Sequence, residues 1–139
     1  MDISEVMTRD VKVASPDDTL QQAARMMADH DFGILPVGES DRLVGMLSDR
    51  DITTRAVARG LPGTARVREV MSSDVKYVYE DQDVDAAAQS MSDLQIRRLP
   101  VLDRDKRLVG IISLGDLALN QSDAAVDALQ VISEPKVAA

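Results

Sequence analysis

Two short stretches hold the residues best suited to chemistry: Gly45-Met46-Leu47-Ser48-Asp49-Arg50-Asp51 and Gly110-Ile111-Ile112-Ser113-Leu114-Gly115-Asp116. In each, an apolar run ends in Ser-x-x-Asp. A carboxylate accepts hydrogen bonds from two neighbouring hydroxyls, so Asp51 and Asp116 suit the diol of a ribose. The hydroxyls of Ser48 and Ser113, with the open N–H groups of a helix start, suit phosphate or ribose oxygens. The same spacing is close to the capping box Ser/Thr-x-x-Glu, which fixes a helix start with no ligand at all. Residue type leaves both readings open.

Cations stand near these stretches. Lys12 and Lys76 occupy equivalent places beside short β segments, Arg97-Arg98 directly precedes an apolar strand, and Arg50 lies on a first helical turn. Guanidinium and ammonium groups so placed would build a local anion pocket. Each alone also reads as an ordinary solvated charge. A further basic group, Arg55, Arg59, Arg66 and Arg68, raises nucleic acid as a partner. A net charge of −8 and only 2% aromatic residues argue against it, because phosphate-backbone binding needs a basic face and single strands need stacking platforms.

Catalysis has little to work with. There is no cysteine, His30 is the only histidine, and neither a Walker loop nor Gly-x-Gly-x-x-Gly occurs. The chain is expected not to be an enzyme and to hold no metal. His30 reads as a cation favourable at a helix C-terminus, and Met26, Met27, Met46, Met71 and Met91 read as core filler. The start, MDISEVMTRDV, carries acids and no apolar core, so no signal peptide is expected. No apolar run approaches the roughly 20 residues that span a bilayer. The expectation is a cytoplasmic protein with no membrane partner.

The elements that must position these residues come in two copies. Val6-Met7-Thr8 returns as Val70-Met71-Ser72, 64 residues on, and Leu35-Pro36-Val37 returns as Leu99-Pro100-Val101. One inserted residue then makes the offset 65, so that Arg42-Leu43-Val44-Gly45 matches Arg107-Leu108-Val109-Gly110. A one-residue slip between registered flanks marks a loop insertion.

Each copy reads as a short β segment (Val11–Ala14, Val75–Val78), a helix, two strands and a second helix. Ser15-Pro16-Asp17-Asp18 predicts the first helix start, with Ser15 as cap, and Leu20, Ala23, Ala24 and Met27 predict its buried stripe to about Asp29. Val84, Ala87, Ala88 and Met91 repeat that stripe. Strands are predicted at Ile34–Val37 and Leu43–Leu47, and at Leu99–Leu102 and Leu108–Ile112. The runs LVGML and LVGII scarcely alternate, which predicts burial on both faces.

Second helices are predicted from near Asp49 to Gly60 and from near Leu114. The fold expected is therefore α/β (α+β), two β-α-β-β-α repeats packed with pseudo-two-fold symmetry. Its divisions are 1–61, 62–120 and a C-terminal helix and tail at 121–139, with Val126, Leu129 and Ile132 on one helical face.

The whole repeat resembles the CBS domain, named after cystathionine β-synthase, and the tandem is similar to a Bateman module. The residues that carry this are Val6-Met7-Thr8, Asp18-Thr19-Leu20, Ile34-Leu35-Pro36-Val37 and Gly45 through Ile52. Their second copies are Val70-Met71, Leu99-Pro100-Val101-Leu102-Asp103 and Gly110 through Leu117. The resemblance covers roughly residues 2–120 and implies clefts between the repeats that bind adenosine ligands: AMP, ADP, ATP, or else NAD or S-adenosylmethionine.

It implies Asp51 and Asp116 as ribose acids, Ser48 and Ser113 as hydroxyl partners, and Met46 and Ile111 against the base. The Asp116 cleft would draw on Lys12, Gly33 and Ile34, with Arg98 near phosphate. The Asp51 cleft would draw on Lys76 and Arg97, with Arg50 adding a cation. Leu114-Gly115 in place of Asp49-Arg50 is a departure that puts double occupancy in doubt. The resemblance also implies a homodimer of pairs, a separate target protein, and a regulatory ligand rather than a required cofactor. The alternative is a ligand-free scaffold in which Ser-x-x-Asp is only a cap.

Overall fold

A computed structural model describes residues 1–119; the predicted amphipathic helix around Val126, Leu129 and Ile132 lies outside the described residues. The chain divides into two compact units. Among the described residues, one contains Met1–Val11, Lys76–Asp105 and 109–119, and the other contains Lys12–Val75 with Lys106–Leu108. Unit membership does not follow the order of the repeats. The leading segment of each copy belongs to the unit built on the other copy's helix and strands.

In the unit of Lys12–Val75, helix α1 (Leu20–His30) precedes an antiparallel hairpin of β1 (Ile34–Glu39) and β2 (Arg42–Ser48). The hairpin turns through Ser40 and Asp41, both at positive φ, and carries a register shift between Val37 and Gly38. Ala14 adds a single parallel bridge to Val37, so the expected first β segment is reduced to one pairing residue. Ser72 pairs with Met46 through two backbone hydrogen bonds of 2.9 and 2.8 Å. Leu20, Ala23 and Met27 of α1 are buried with Leu35, Val37, Leu47, Val67 and Val70.

The expected cap of α1 is corrected. Ser15 and Asp18 close a separate turn, in which the Asp18 carboxylate accepts the Ser15 amide at 2.8 Å and the Asp18 amide reaches the Ser15 carbonyl at 3.0 Å. The helix starts at Leu20, capped by Thr19, whose hydroxyl accepts from the Gln22 amide at 3.1 Å while Gln22 accepts from the Thr19 amide at 2.8 Å. Side-chain bonding to nearby backbone let Ser15 satisfy a turn rather than a helix. Ala24, placed on the buried stripe by periodicity, is exposed.

The other unit repeats the plan. Strand β3 (Val78–Tyr79) runs parallel to β4 (Arg98–Leu102), and β5 (Leu108–Ser113) completes a three-stranded sheet in the order β3-β4-β5. Helix α3 (Val84–Leu94) buries Val84, Ala87, Ala88 and Met91 as predicted, against Leu99, Val101 and Ile112. Ile3 and Met7 of the leading segment complete this core. Thr8 bridges Ile111 just as Ser72 bridges Met46, with hydrogen bonds of 2.8 and 2.9 Å.

The expected two-sided burial of β2 and β5 holds in part. Leu47 and Ile112 are fully buried, whereas Met46 and Ile111 on the opposite face are half-buried. After β2 the chain forms one α turn, α2 (Asp49–Asp51), then a π segment at Ile52–Ala56 and a 3₁₀ turn at Val57–Arg59. It stops at Gly60, whose φ of +75° is the left-handed conformation that glycine adopts at no steric cost. In the second copy, α4 (Leu114–Leu119) follows β5 directly.

Candidate functional site

Each Ser-x-x-Asp forms where a strand passes into a helix. Ser48 ends β2 in extended conformation, its hydroxyl accepts the Asp51 amide at 3.0 Å, and the Asp51 Oδ2 accepts the Ser48 amide at 2.9 Å. Ser113 and Asp116 repeat this with the same two distances, 3.0 and 2.9 Å. The capping box is therefore formed in both copies, and all four residues are half-buried. The cap engages one oxygen of each carboxylate, and each serine hydroxyl keeps its own proton for donation. The Asp51 Oδ1 lies 3.8 Å from Nε of Arg55.

A second backbone tie fixes the loop that enters each hairpin. The Asp49 amide donates to the Gly33 carbonyl at 2.9 Å, and the Leu114 amide donates to the Arg97 carbonyl at 2.8 Å. Ile34 is paired in register with Ser48, so the loop and the Ser-x-x-Asp turn meet at one strand edge. Gly33, Ile34, Met46, Ser48, Arg50, Asp51 and the half-buried Lys12 all fall in the Lys12–Val75 unit. Arg97, Arg98, Ile111, Ser113, Asp116 and the exposed Lys76 fall in the other. Within the latter, Arg97, Arg98, Ser113, Leu114, Gly115 and Ala118 line a hollow of about 330 Å³, a size within the range of small-ligand sites.

Sequence reasoning passed over Asp49 as a site residue. Its Oδ2 lies 3.4 Å from where a Cβ on Gly33 would stand, so the carboxylate covers the glycine. The available signal was the reciprocal exchange between copies, glycine facing aspartate in one and arginine facing leucine in the other.

The second basic group is largely tied to acids and carbonyls. Arg68 holds Asp17 through Nε at 3.1 Å and a second nitrogen, and this contact raises the guanidinium pKa. Arg66 donates to the Asp17 carbonyl at 2.7 Å, and Arg55 to the Val70 carbonyl at 3.5 Å. His30 is the last residue of α1 and stacks on Phe32 at 5.8 Å. Among the described residues, no three His, Cys, Asp or Glu side chains gather as a metal site, and no helix is long and apolar enough to cross a membrane.

Known proteins are similar to this chain in sequence and fold. The chain is 42% identical over 137 residues to the CBS domain-containing protein YhcV of Bacillus subtilis, covering 97% of each. It is 37% identical to hypoxic response protein 1 of Mycobacterium tuberculosis, over 88% of this chain and 86% of that one. The crystal structure of that protein, with two coordinated zinc ions, superposes with a TM-score of 0.77 over 86% of this chain and 98% of the other. The CBS domain pair of protein MJ0100, solved in complex with 5′-methylthioadenosine and S-adenosyl-L-methionine, gives a TM-score of 0.74 at 26% identity, covering 87% and 95%. The model of the CBS domain matches twice, at residues 3–57 and 67–123, and these two matches embrace both Ser-x-x-Asp turns. By that match and by its relatives, the chain belongs to the CBS domain family.

Proposed function

We propose that this chain is a non-catalytic regulatory module that binds adenosine ligands at its two Ser-x-x-Asp strand ends. The ligands are adenine nucleotides, AMP, ADP or ATP, with NAD and S-adenosylmethionine as further members of the class. The observation that carries this is the duplicated capping box at the ends of β2 and β5, which holds a half-buried serine hydroxyl and a half-buried carboxylate at each strand end through backbone amides. A diol donates hydrogen bonds to such a carboxylate, and the related MJ0100 pair was solved with two adenosine compounds. Gly33, Ile34, Met46, Arg50 and Lys12, with Lys76, Arg97, Arg98 and Ile111, supply the surrounding apolar and cationic groups.

Ligand binding shifts the balance between conformations of the module and so signals to a separate target protein in the cytoplasm. The module works as a homodimer, for which light scattering should report about twice the 15.1 kDa of one chain.

A ligand that binds only the folded state raises Tm by mass action. Millimolar AMP, ATP, NAD or S-adenosylmethionine should raise the melting temperature, with titration calorimetry giving the stoichiometry. An unmoved melting curve with all four overturns the proposal. It would favour the second reading, a ligand-free scaffold, which has its own support in the completed capping boxes of Ser48–Asp51 and Ser113–Asp116.

A further inference from the structure

The two strand ends are alike in backbone and opposed in charge. Four positions differ reciprocally between the copies: Asp31 against Gln95, Gly33 against Arg97, Asp49 against Leu114, and Arg50 against Gly115. Ile34 against Arg98 adds a fifth difference. With the shared Asp51 and Asp116, and with Arg55 beside Asp51, the first edge carries three acids and two bases, and the second carries two bases and one acid. The formal charges are −1 and +1.

The difference is built in three dimensions. Asp31 and Gln95 both sit in left-handed conformation at the ends of their helices, so they are true counterparts. In the first unit the Asp49 carboxylate covers Gly33 and accepts the Arg50 amide at 2.8 Å. In the second, Leu114 is buried in place of that carboxylate, and Arg97 and Arg98 line the hollow beside Ser113.

Resting on the proposed adenosine binding, we propose that the two edges are sorted by ligand charge. The Arg97–Arg98 edge takes adenosine compounds bearing a 5′-phosphate. The Gly33–Asp49 edge takes those without one, neutral or cationic at the 5′ position. Guanidinium partners strengthen hydrogen bonds to phosphate, and an excess of carboxylates repels it. The same ribose grip thereby serves two ligand classes in one chain.

The test is titration calorimetry of the full chain with AMP and, separately, with 5′-methylthioadenosine. The double substitution R97Q/R98Q should weaken AMP binding by about tenfold or more, and 5′-methylthioadenosine binding by less than about twofold. Arg97 is exposed, so folding should survive, and melting of the free protein checks this. The reciprocal variant G33R/D49L should add a second AMP-binding equivalent. If AMP and 5′-methylthioadenosine lose affinity equally in R97Q/R98Q, or if G33R/D49L gains no AMP site, charge sorting is overturned while adenosine binding stands. If neither compound binds the unaltered chain, the proposed function itself has failed.

Discussion

The sulfur of Met7 lies 2.6 Å from where a Cβ on Gly110 would stand, and the Thr8 carbonyl lies 2.9 Å from the same point. The counterpart pair has the same form: Met71 sulfur at 2.8 Å and Ser72 carbonyl at 2.9 Å from a Cβ on Gly45. Glycine at these two strand positions lets a leading segment approach closely enough to hydrogen-bond the strand. Gly110→Ala and Gly45→Ala should each destabilise the protein by about 1–3 kcal/mol, the usual range for overpacking. A methionine side chain can move aside, but the carbonyl is backbone and cannot. Urea unfolding checks the value, and a loss below a few tenths would show that the approach is not tight.

The same relationship makes the first residues part of a distant core. Ile3 is fully buried and its unit includes α3 and β4. Ile3→Ala should cost about 2–5 kcal/mol. In hydrogen exchange it should raise exchange first along Val84–Leu94 and at Ile111, and leave Leu35–Val37 and Leu47 protected. Loss of protection confined to the first ten residues would contradict this.

The capping and binding roles of Asp51 and Asp116 come apart by substitution. Asp51→Ala removes the acceptor for the Ser48 amide and should cost about 1 kcal/mol, as lost caps do. Asp51→Asn keeps an acceptor oxygen and should restore most of that stability. If the carboxylate also grips a ribose, the asparagine variant still loses its share of the nucleotide-induced rise in Tm. Asp116→Asn should behave alike. Full retention of the rise in both asparagine variants would leave these residues as caps only.

Acid should expose one surface pair. Arg104 holds Asp81 through two bonds of 2.8 Å and lies 4.1 Å from the Tyr79 ring centre. The guanidinium pulls the Asp81 carboxyl below its ordinary value, and the carboxylate raises that of Arg104. Because the folded value is the lower one, the pair contributes stability above the ordinary carboxylate range, and that contribution is lost as pH falls through the lowered value. Asp81→Asn should therefore melt slightly lower than the parent near about pH 7, with the gap closing toward about pH 2. The effect should be small, since exposed pairs contribute little. A gap that widens on acidification would refute the assignment.

What could be read from the residues was local or periodic. The repeat, the α3 stripe and the Ser-x-x-Asp turns are written in spacing, because capping and helical burial depend on neighbours three or four residues away. Ser15 misled for a related reason, since a hydroxyl that can cap a helix can also accept an amide inside a turn, as that of Ser15 does from Asp17 at 3.2 Å. The partnership of Thr8 with Ile111 was not legible, because nothing within either copy says which hairpin its leading segment will join. Nor was the placement of Asp49 over Gly33, which needs the backbone tie between loop and helix to become visible. The charge contrast of the two edges was present in the sequence, but it gained meaning only when those positions proved to be counterparts.

The exchange of leading segments also sets an order in time. As the chain leaves the ribosome, residues 62–75 find Met46 and its strand already made. Thr8 must wait for Ile111, about a hundred residues behind it. One half closes through near neighbours and should form early, whereas the other ties the start of the chain to a strand synthesised near its end, and such distant pairings form slowly.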